Sequence, residues 1–131
     1  MMGEFKKHGI MKEYRVNVTD SKTEWYNLNG QRHREDGPAI ELANGAKYWY
    51  INGKLHREDG PAIEWANGNK SWYINGQCHR EDGPAIEYVN GTNSWYIKGE
   101  RLTETKFNQR NQPCDNKIVE IDGKKYKLTQ I

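Results

Sequence analysis

The chain has 131 residues, of which 34% are hydrophobic, so it has the length of one domain and can build only a thin core. Lys and Arg number 20 against 18 Asp and Glu, which leaves a net charge of +2 at pH 7. This balance argues against nonspecific nucleic-acid binding, and no stretch approaches the ~20 apolar residues of a membrane span. The first residues also lack the apolar run of a signal peptide, so we expect a cytoplasmic protein without a membrane span.

Two cysteines are present, Cys78 and Cys114. Cys78 stands at a position that two equivalent segments fill with Arg32 and Leu55, and Cys114 stands in a polar tail. A disulfide framework does not treat its cysteines as interchangeable. Both are therefore predicted to be free thiols of a reducing compartment.

The chain opens with residues 1–13, which have no periodic pattern and are predicted to form a flexible arm. From Tyr14 apolar and polar residues alternate, a turn follows, and residues 23–28 return as a second strand. Residues 14–30 therefore look like a degenerate repeat. Trp25 lies five residues before Gly30, one more than in the later repeats, which predicts a β-bulge.

Three clear repeats of 23 residues follow, at 31–53, 54–76 and 77–99. Each contains the phrase His-Arg-Glu-Asp-Gly-Pro-Ala, which begins at His33, His56 and His79. A fixed short period is typical of repeat proteins, in which each unit buries its apolar face only against its neighbours. We predict a mainly β protein, an elongated antiparallel sheet of hairpin repeats.

Each repeat also contains an Asn-Gly pair between two strands, at 44–45, 67–68 and 90–91. As a two-residue turn with positive φ at both positions, the first pair places Ala43 opposite Ala46 and Ile40 opposite Trp49. The same register gives two further pairs of a β-branched with an aromatic residue, a combination that stabilises sheets. These pairs are Ile63 with Trp72 and Ile86 with Trp95.

Alternation along these strands predicts two different faces. The core face is predicted to carry Pro38, Ile40, Leu42, Trp49 and Ile51 with the equivalents Ile63, Trp65, Trp72, Ile74, Ile86, Tyr88, Trp95 and Ile97. The opposite, amphipathic face is predicted to carry Ala39, Glu41, Tyr48 and Tyr50 with the equivalents Ala62, Glu64, Ser71, Tyr73, Ala85, Glu87, Ser94 and Tyr96. This second face can remain hydrated or receive a partner.

The His-Arg-Glu-Asp-Gly-Pro segment forms the longer connection between hairpins. Its Asp-Gly pair predicts a tight turn with positive φ at the glycine, and its proline stands where no ladder hydrogen bond is lost. Stacking of the repeats is expected to place the arginine of one unit near the acidic residues of the next.

Residues 100–131 lack the period. A short helix is predicted over 102–110, with Thr103 as N-cap and Phe107 as an apolar anchor, and a hairpin is predicted about Asp122-Gly123. The helix and hairpin are expected to cap the end of the sheet.

The phrase Trp-Tyr-Ile-Asn-Gly-x-x-His, followed by Gly-Pro-Ala-Ile-Glu-aromatic-x-Asn-Gly, resembles MORN repeats, and more closely their variant form in bacterial and phage proteins. The resemblance covers residues 31–99 well and 14–30 weakly. It implies one β-hairpin per unit and one elongated antiparallel sheet. It also implies a scaffold or binding module whose repeats carry no catalytic set, similar to small phage proteins with His-Arg-x-Asp-Gly-Pro-Ala copies. The usual glycine-rich stretch is replaced here, so the family's partners do not transfer by motif.

Four groups of residues have the chemistry for a catalytic, metal-binding or phosphate-binding role, but a structural role is favoured for each. Histidines of successive repeats lie about 9.6 Å apart, too far for one metal, and the repeat glutamates are too far apart to act as a catalytic pair. Cys78 and His79 are neighbours on a strand and point to opposite faces. Lys124, Lys125 and Lys127 could contact phosphate, but a solvated hairpin is the commoner role. We therefore predict no enzyme, no metal and no cofactor.

A ladder of tyrosines and a charged rim remain as the repeated exposed surfaces, since Tyr and Arg are typical interface anchors. The candidate binding residues are Tyr50, Tyr73, Tyr96, Arg57, Arg80, Glu64 and Glu87. The hypothesis is a nonenzymatic phage protein that binds and inhibits a host protein such as a defence enzyme. The alternatives are a module of a homo-oligomer that sequesters a small ligand or nucleotide signal, and a passive assembly or membrane-associated scaffold.

Overall fold

The computed structural model describes residues 13–110 and the backbone of two strands at 118–121 and 124–127. These described residues are mainly β with one short helix, which confirms the predicted fold class. The strands are β1 Arg15–Val18, β2 Lys22–Tyr26, β3 Ile40–Leu42, β4 Lys47–Tyr48, β5 Tyr50–Ile51, β6 Lys54–Leu55, β7 Ile63–Glu64, β8 Lys70–Ser71, β9 Tyr73–Ile74, β10 Gln77–Cys78, β11 Ile86–Glu87, β12 Asn93–Ile97, β13 Glu100–Leu102, β14 Ile118–Ile121 and β15 Lys124–Lys127, and the helix is α1 Glu104–Arg110.

A nine-stranded sheet runs in the order β1-β2-β3-β4-β7-β8-β11-β12-β13, so each clear repeat contributes two strands. The pairs from β1 to β12 are antiparallel. Between β4 and β5 the strand is interrupted at Trp49, and β5 then pairs with β6 in a small hairpin of its own. β9 and β10 repeat this arrangement in the next unit.

The predicted register is wrong by one residue. The Leu42 N–H donates to the Ala46 carbonyl and the Gly45 N–H to the Leu42 carbonyl, so the loop has three residues rather than two. Only Gly45 takes positive φ, at 98°, as in a type I turn followed by a glycine bulge. Ile40 therefore pairs with Tyr48 instead of Trp49. Likewise Ile63 and Ile86 both pair with Ser71, and Ile86 also with Ser94.

The two-residue turn with two positive φ angles occurs later in each repeat. Asn52 and Gly53 have φ values of 48° and 82°, and they join Ile51 to Lys54 as a type I′ turn does. The equivalent residues are Asn75-Gly76 and Lys98-Gly99.

A register error of one residue exchanges the two faces of a strand. One side of the sheet is here called the tyrosine face. It carries the isoleucines of β3, β7 and β11 and the tyrosines of β5, β9 and β12: Ile40, Ile63, Ile86, Tyr50, Tyr73 and Tyr96. The other side, the arginine face, carries the tryptophans and the arginines stacked on them: Trp25, Trp49, Trp72, Arg34, Arg57 and Arg80. The prediction that Ile40, Ile63 and Ile86 share one core face with the tryptophans is therefore wrong. Ile51 and Ile74 do lie on the same face as Trp49 and Trp72.

Burial is concentrated where the strands of neighbouring repeats meet. Ile40 and Ile63 are buried, and the alanines that precede the isoleucines, Ala39, Ala62 and Ala85, are completely buried. Two residues of the predicted core are exposed instead, because they lie at the start of three-residue turns. These residues are Trp65 and Tyr88.

The degenerate repeat follows the same plan with one residue added to its second turn. The Asn27 N–H donates to the Gln31 carbonyl, and Gly30 has φ 81°, so the extra residue is accommodated in a glycine bulge. Tyr26 then pairs with Arg32. The predicted bulge is confirmed.

Beyond the repeats, Thr103 caps α1 as predicted, because its hydroxyl accepts the Lys106 N–H at 3.1 Å. Phe107 is buried. β14 and β15 are antiparallel with Ile121 opposite Lys124, and residues 122–123 of the predicted hairpin lie outside the described residues. The chain divides into two compact units after Arg101, and the capping role of residues 102–131 stays a prediction. The arm at 1–12, Cys114, and the Lys124, Lys125 and Lys127 side chains lie outside the described residues.

Candidate binding surface

The His-Arg-Glu-Asp-Gly-Pro loop is organised by its arginine. Arg57 donates from Nε to the Asp59 carboxylate and from Nη1 to the Pro61 carbonyl, each at 3.1 Å. The guanidinium carbon lies 3.9 Å from the centre of the Trp49 ring, and Nη1 lies 3.7 Å from the Glu64 carboxylate. Arg34 and Arg80 make the equivalent hydrogen bonds within their loops, and each stacks on the tryptophan of the repeat before it. The loop is thus held by a hydrogen-bonded and stacked guanidinium.

Two predictions about this loop are wrong. The arginine pairs with acidic residues of its own repeat, such as Arg80 with Asp82 and Glu87 at 2.9 Å, and reaches the preceding repeat through tryptophan. The loop glycine is required for space and not for positive φ, because a Cβ on Gly60 would lie 2.9 Å from Arg57 Cζ. The arginine therefore lies where any larger residue would place its side chain.

The histidine that precedes each arginine joins its loop to the two-residue turn at the end of the same repeat. His56 Nδ1 accepts the backbone N–H of Asn75 at 2.9 Å, and Nε2 lies 3.7 Å from the Glu58 carboxylate. His33 and His79 accept the corresponding N–H groups of the next turn. The three histidines thus have a structural role in their own repeats. Within residues 13–110, no group of three or more His, Cys, Asp or Glu side chains is placed to hold a metal ion.

Two equivalent grooves lie between consecutive loops on the arginine face. The larger, about 870 Å³, lies between the loops at 57–61 and 79–82, and Trp72 and Ile74 contribute its apolar lining. The smaller, about 700 Å³, lies between 34–37 and 56–59, with Trp49 and Ile51 in the equivalent positions. The segment 57–59 is a wall of both grooves. The 23-residue period thus produces a pair of matched concave sites side by side.

The rims of the grooves are acidic although the chain carries a net charge of +2. Two arginines and four carboxylates line the larger groove, which leaves a net charge of −2 with neutral His79. The shared wall presents its acidic groups to solvent: the side chains of Glu58 and Asp59 are 85% and 89% exposed. The arginines are three-quarters buried and paired with carboxylates. The surface that a partner meets is therefore negative.

The tyrosine face carries the predicted row of Tyr50, Tyr73 and Tyr96, each half-buried. Tyr50 pairs across its hairpin with Leu55, and Tyr73 with Cys78. Burial raises the pKa of Tyr73, and it raises the pKa of the Cys78 thiol to about 11. A thiol that stays protonated at neutral pH is a poor nucleophile.

The seven candidate binding residues are thus divided between the two faces. Arg57 lies beside Glu64, and Arg80 beside Glu87, as ion pairs on the arginine face. The three tyrosines lie together on the other face, separated from these pairs by the sheet. Both arginines line a groove, but most of their hydrogen-bonding capacity serves the loop.

A buried acidic residue in the degenerate repeat was not predicted from the sequence. Glu24 is 3% exposed, with Lys22 Nζ at 2.8 Å, the Tyr26 hydroxyl at 2.5 Å and Arg32 Nη2 at 3.2 Å. Burial would raise the pKa of Glu24, but hydrogen bonds from Lys22, Tyr26 and Arg32 outweigh it and lower the pKa to about 2. Once Trp25 is aligned with Trp49, Glu24 falls in the column of Tyr48, Ser71 and Ser94. The position of Glu24 could have been predicted from that alignment.

Comparisons with known proteins find no matching family model, no similar curated protein and no similar solved structure. The likeness to variant MORN repeats therefore stays a prediction from the repeat phrases. No helix in the described part of the chain is long and apolar enough to cross a membrane. Functional inference thus depends on the geometry of the two faces.

Proposed function

We propose that this chain is a nonenzymatic protein-binding module that contacts its partner through the two grooves of the arginine face. From the resemblance to variant MORN repeats of phage proteins, we propose further that the partner is a protein of the host cell, such as a defence enzyme, and that binding inhibits it. The pair of matched grooves is the observation that carries the proposal.

Three features support recognition of a macromolecule. The grooves lie side by side with a common wall, so a partner can contact both at once and gain from simultaneous engagement. Their walls are fixed in the free protein by the stacked arginines, which reduces the entropy lost on binding. An acidic rim with an apolar lining also provides both charge complementarity and apolar contact.

The reactive side chains of the repeats favour a role without catalysis. Each repeat histidine uses Nδ1 as an acceptor for a backbone N–H. Cys78 has a pKa of about 11, because burial disfavours its thiolate. Side chains used in this way serve the packing of the repeat itself, and a general base or nucleophile needs a different environment.

The test is affinity capture from a bacterial lysate with the tagged full chain, followed by mass spectrometry of what is retained. Capture should be lost with Glu58→Lys on the shared wall and kept with Asp20→Lys, which makes the same charge change in the exposed turn between β1 and β2. Native mass spectrometry of the chain after incubation with metabolites is run in parallel. A bound small mass without any retained protein would contradict the proposal and favour a sequestering module.

A further inference from the structure

We infer that the two grooves receive an extended basic segment of the partner, with two Lys or Arg side chains three residues apart in a polyproline II conformation. This inference rests on the proposed function, because it names the chemistry that the same grooves would recognise. Its basis is the spacing of the grooves, their charge and their lining.

The spacing follows from the sheet. Each repeat adds two strands to it, and neighbouring strands lie about 4.8 Å apart, so equivalent points of successive repeats are about 9.6 Å apart. A polyproline II helix advances about 3.1 Å per residue with three residues per turn, so residues i and i+3 point the same way about 9.3 Å apart. In a β-strand, same-side residues are about 6.7 Å or about 13 Å apart. Only the polyproline II spacing matches.

The charge of the grooves favours cationic side chains. The loops offer a carboxylate pair at each step along the stack: Glu35 and Asp36, Glu58 and Asp59, Glu81 and Asp82. A cation in either groove lies between two such pairs, and the middle pair serves both grooves. Because Glu58 and Asp59 are more than four-fifths exposed, they can pair with an incoming cation without opening the loop.

The lining accommodates the rest of a basic side chain. Trp72 and Ile74 in one groove, and Trp49 and Ile51 in the other, give an apolar surface below the carboxylates. Lys and Arg bury their methylene stems on such surfaces while the charged end stays at the rim. Aromatic-lined grooves are also a recurrent way of binding polyproline II segments.

The experiment uses three labelled peptides of Pro, Gln and Lys with one composition, in which paired lysines are two, three or four residues apart. Fluorescence anisotropy with the full chain at low ionic strength should show about tenfold tighter binding for the three-residue spacing. Glu58→Lys should weaken that binding about tenfold, and Asp20→Lys less than about twofold. If Glu58→Lys unfolds the chain, Glu58→Gln is measured instead and should also weaken binding.

Equal affinity at all spacings, no binding of any peptide, or binding unchanged by the Glu58 variant would overturn the inference. A concentration-dependent dimer dissociated by Glu58→Lys would also overturn it, since a second copy would then occupy the grooves. A captured protein that is lost with Glu58→Lys, without binding of any peptide, would refute the basic segment and leave protein binding through the grooves standing. Failure to capture any protein bears on the proposed function instead.

Discussion

The guanidinium carbon of Arg57 lies 3.9 Å from the centre of the Trp49 ring, so a side chain of one repeat is stacked on the indole of the repeat before it. Arg34 on Trp25 and Arg80 on Trp72 show the same distance. Each arginine therefore fixes its own loop and joins two units at the same time. A planar group with several donors is needed for both tasks.

Arg57→Lys should destabilise the fold although it keeps the charge. The ammonium loses the stacking on Trp49 and cannot bond Asp59 and Pro61 in the same geometry, so we expect a loss of about 1–3 kcal/mol in the free energy of unfolding. Urea denaturation measures the change. Arg15→Lys on exposed β1 is the control, and equal midpoints for the two variants would contradict the role of the stack.

Gly60→Ala should be destabilising because its Cβ would meet the Arg57 guanidinium at 2.9 Å. We expect a loss of about 1–2 kcal/mol in the wild-type background and little effect in an Arg57→Ala background, where the space is open. A double-mutant cycle by urea denaturation measures this coupling. Additive effects of the two substitutions would show that the backbone, and not the arginine, requires glycine.

Lys98→Asn should stabilise the protein. Lys98 has φ 50° in a turn whose equivalents in the other repeats are asparagines, Asn52 and Asn75, and asparagine tolerates the left-handed region better than lysine. We expect a gain of about 0.5–1 kcal/mol, seen as a higher Tm. The reverse change, Asn75→Lys, is the matched control and should lower Tm. A lower Tm for Lys98→Asn would refute the turn assignment.

Stability should fall at acid pH because of Glu24. Its pKa is lowered from the usual 4.5 to about 2 by Lys22, Tyr26 and Arg32, so its ionised form is favoured by the folded state. This contribution is complete above pH 4.5 and is lost as the pH falls towards 2, with a magnitude on the order of 3 kcal/mol.

Urea midpoints at pH 6 and pH 3 measure the effect of Glu24. Glu24→Gln should flatten the difference between the two midpoints, and exposed Glu100→Gln should leave it unchanged. An undiminished pH dependence in Glu24→Gln would assign the acid sensitivity to other carboxylates.

The sequence predicted the architecture because its period and its turn residues are explicit. It could not decide the register, since each repeat has two candidate turns and Asn-Gly suits both a two-residue loop and the end of a three-residue loop. Asn44-Gly45 and Asn52-Gly53 adopt the two different types. The difference of one residue moved Trp49 from the predicted isoleucine face to the arginine face.

The members of the site were predicted only in part, and their arrangement was not predicted. Arg57, Arg80, Glu64 and Glu87 were identified as candidates, and they form two ion pairs beside the grooves. The stacking of the arginines was not visible, because contact between Arg57 and Trp49 depends on how one unit packs on another. From sequence alone an arginine is normally predicted to lie on the surface, whereas here each loop arginine is packed beneath its own loop.

The joint between successive repeats has a consequence for how such a chain can change in length. The Trp49 N–H donates to the Ala62 carbonyl of the following unit, and Trp49 accepts the His56 N–H on its own carbonyl. Trp72 makes the same two bonds with Ala85 and His79. Because these joints are main-chain hydrogen bonds, they do not depend on which side chains are present. Removal or duplication of a whole 23-residue unit therefore leaves every joint with the same backbone atoms. Each duplicated unit also supplies one more groove, so the number of contact points available to a partner increases with gene length in whole steps.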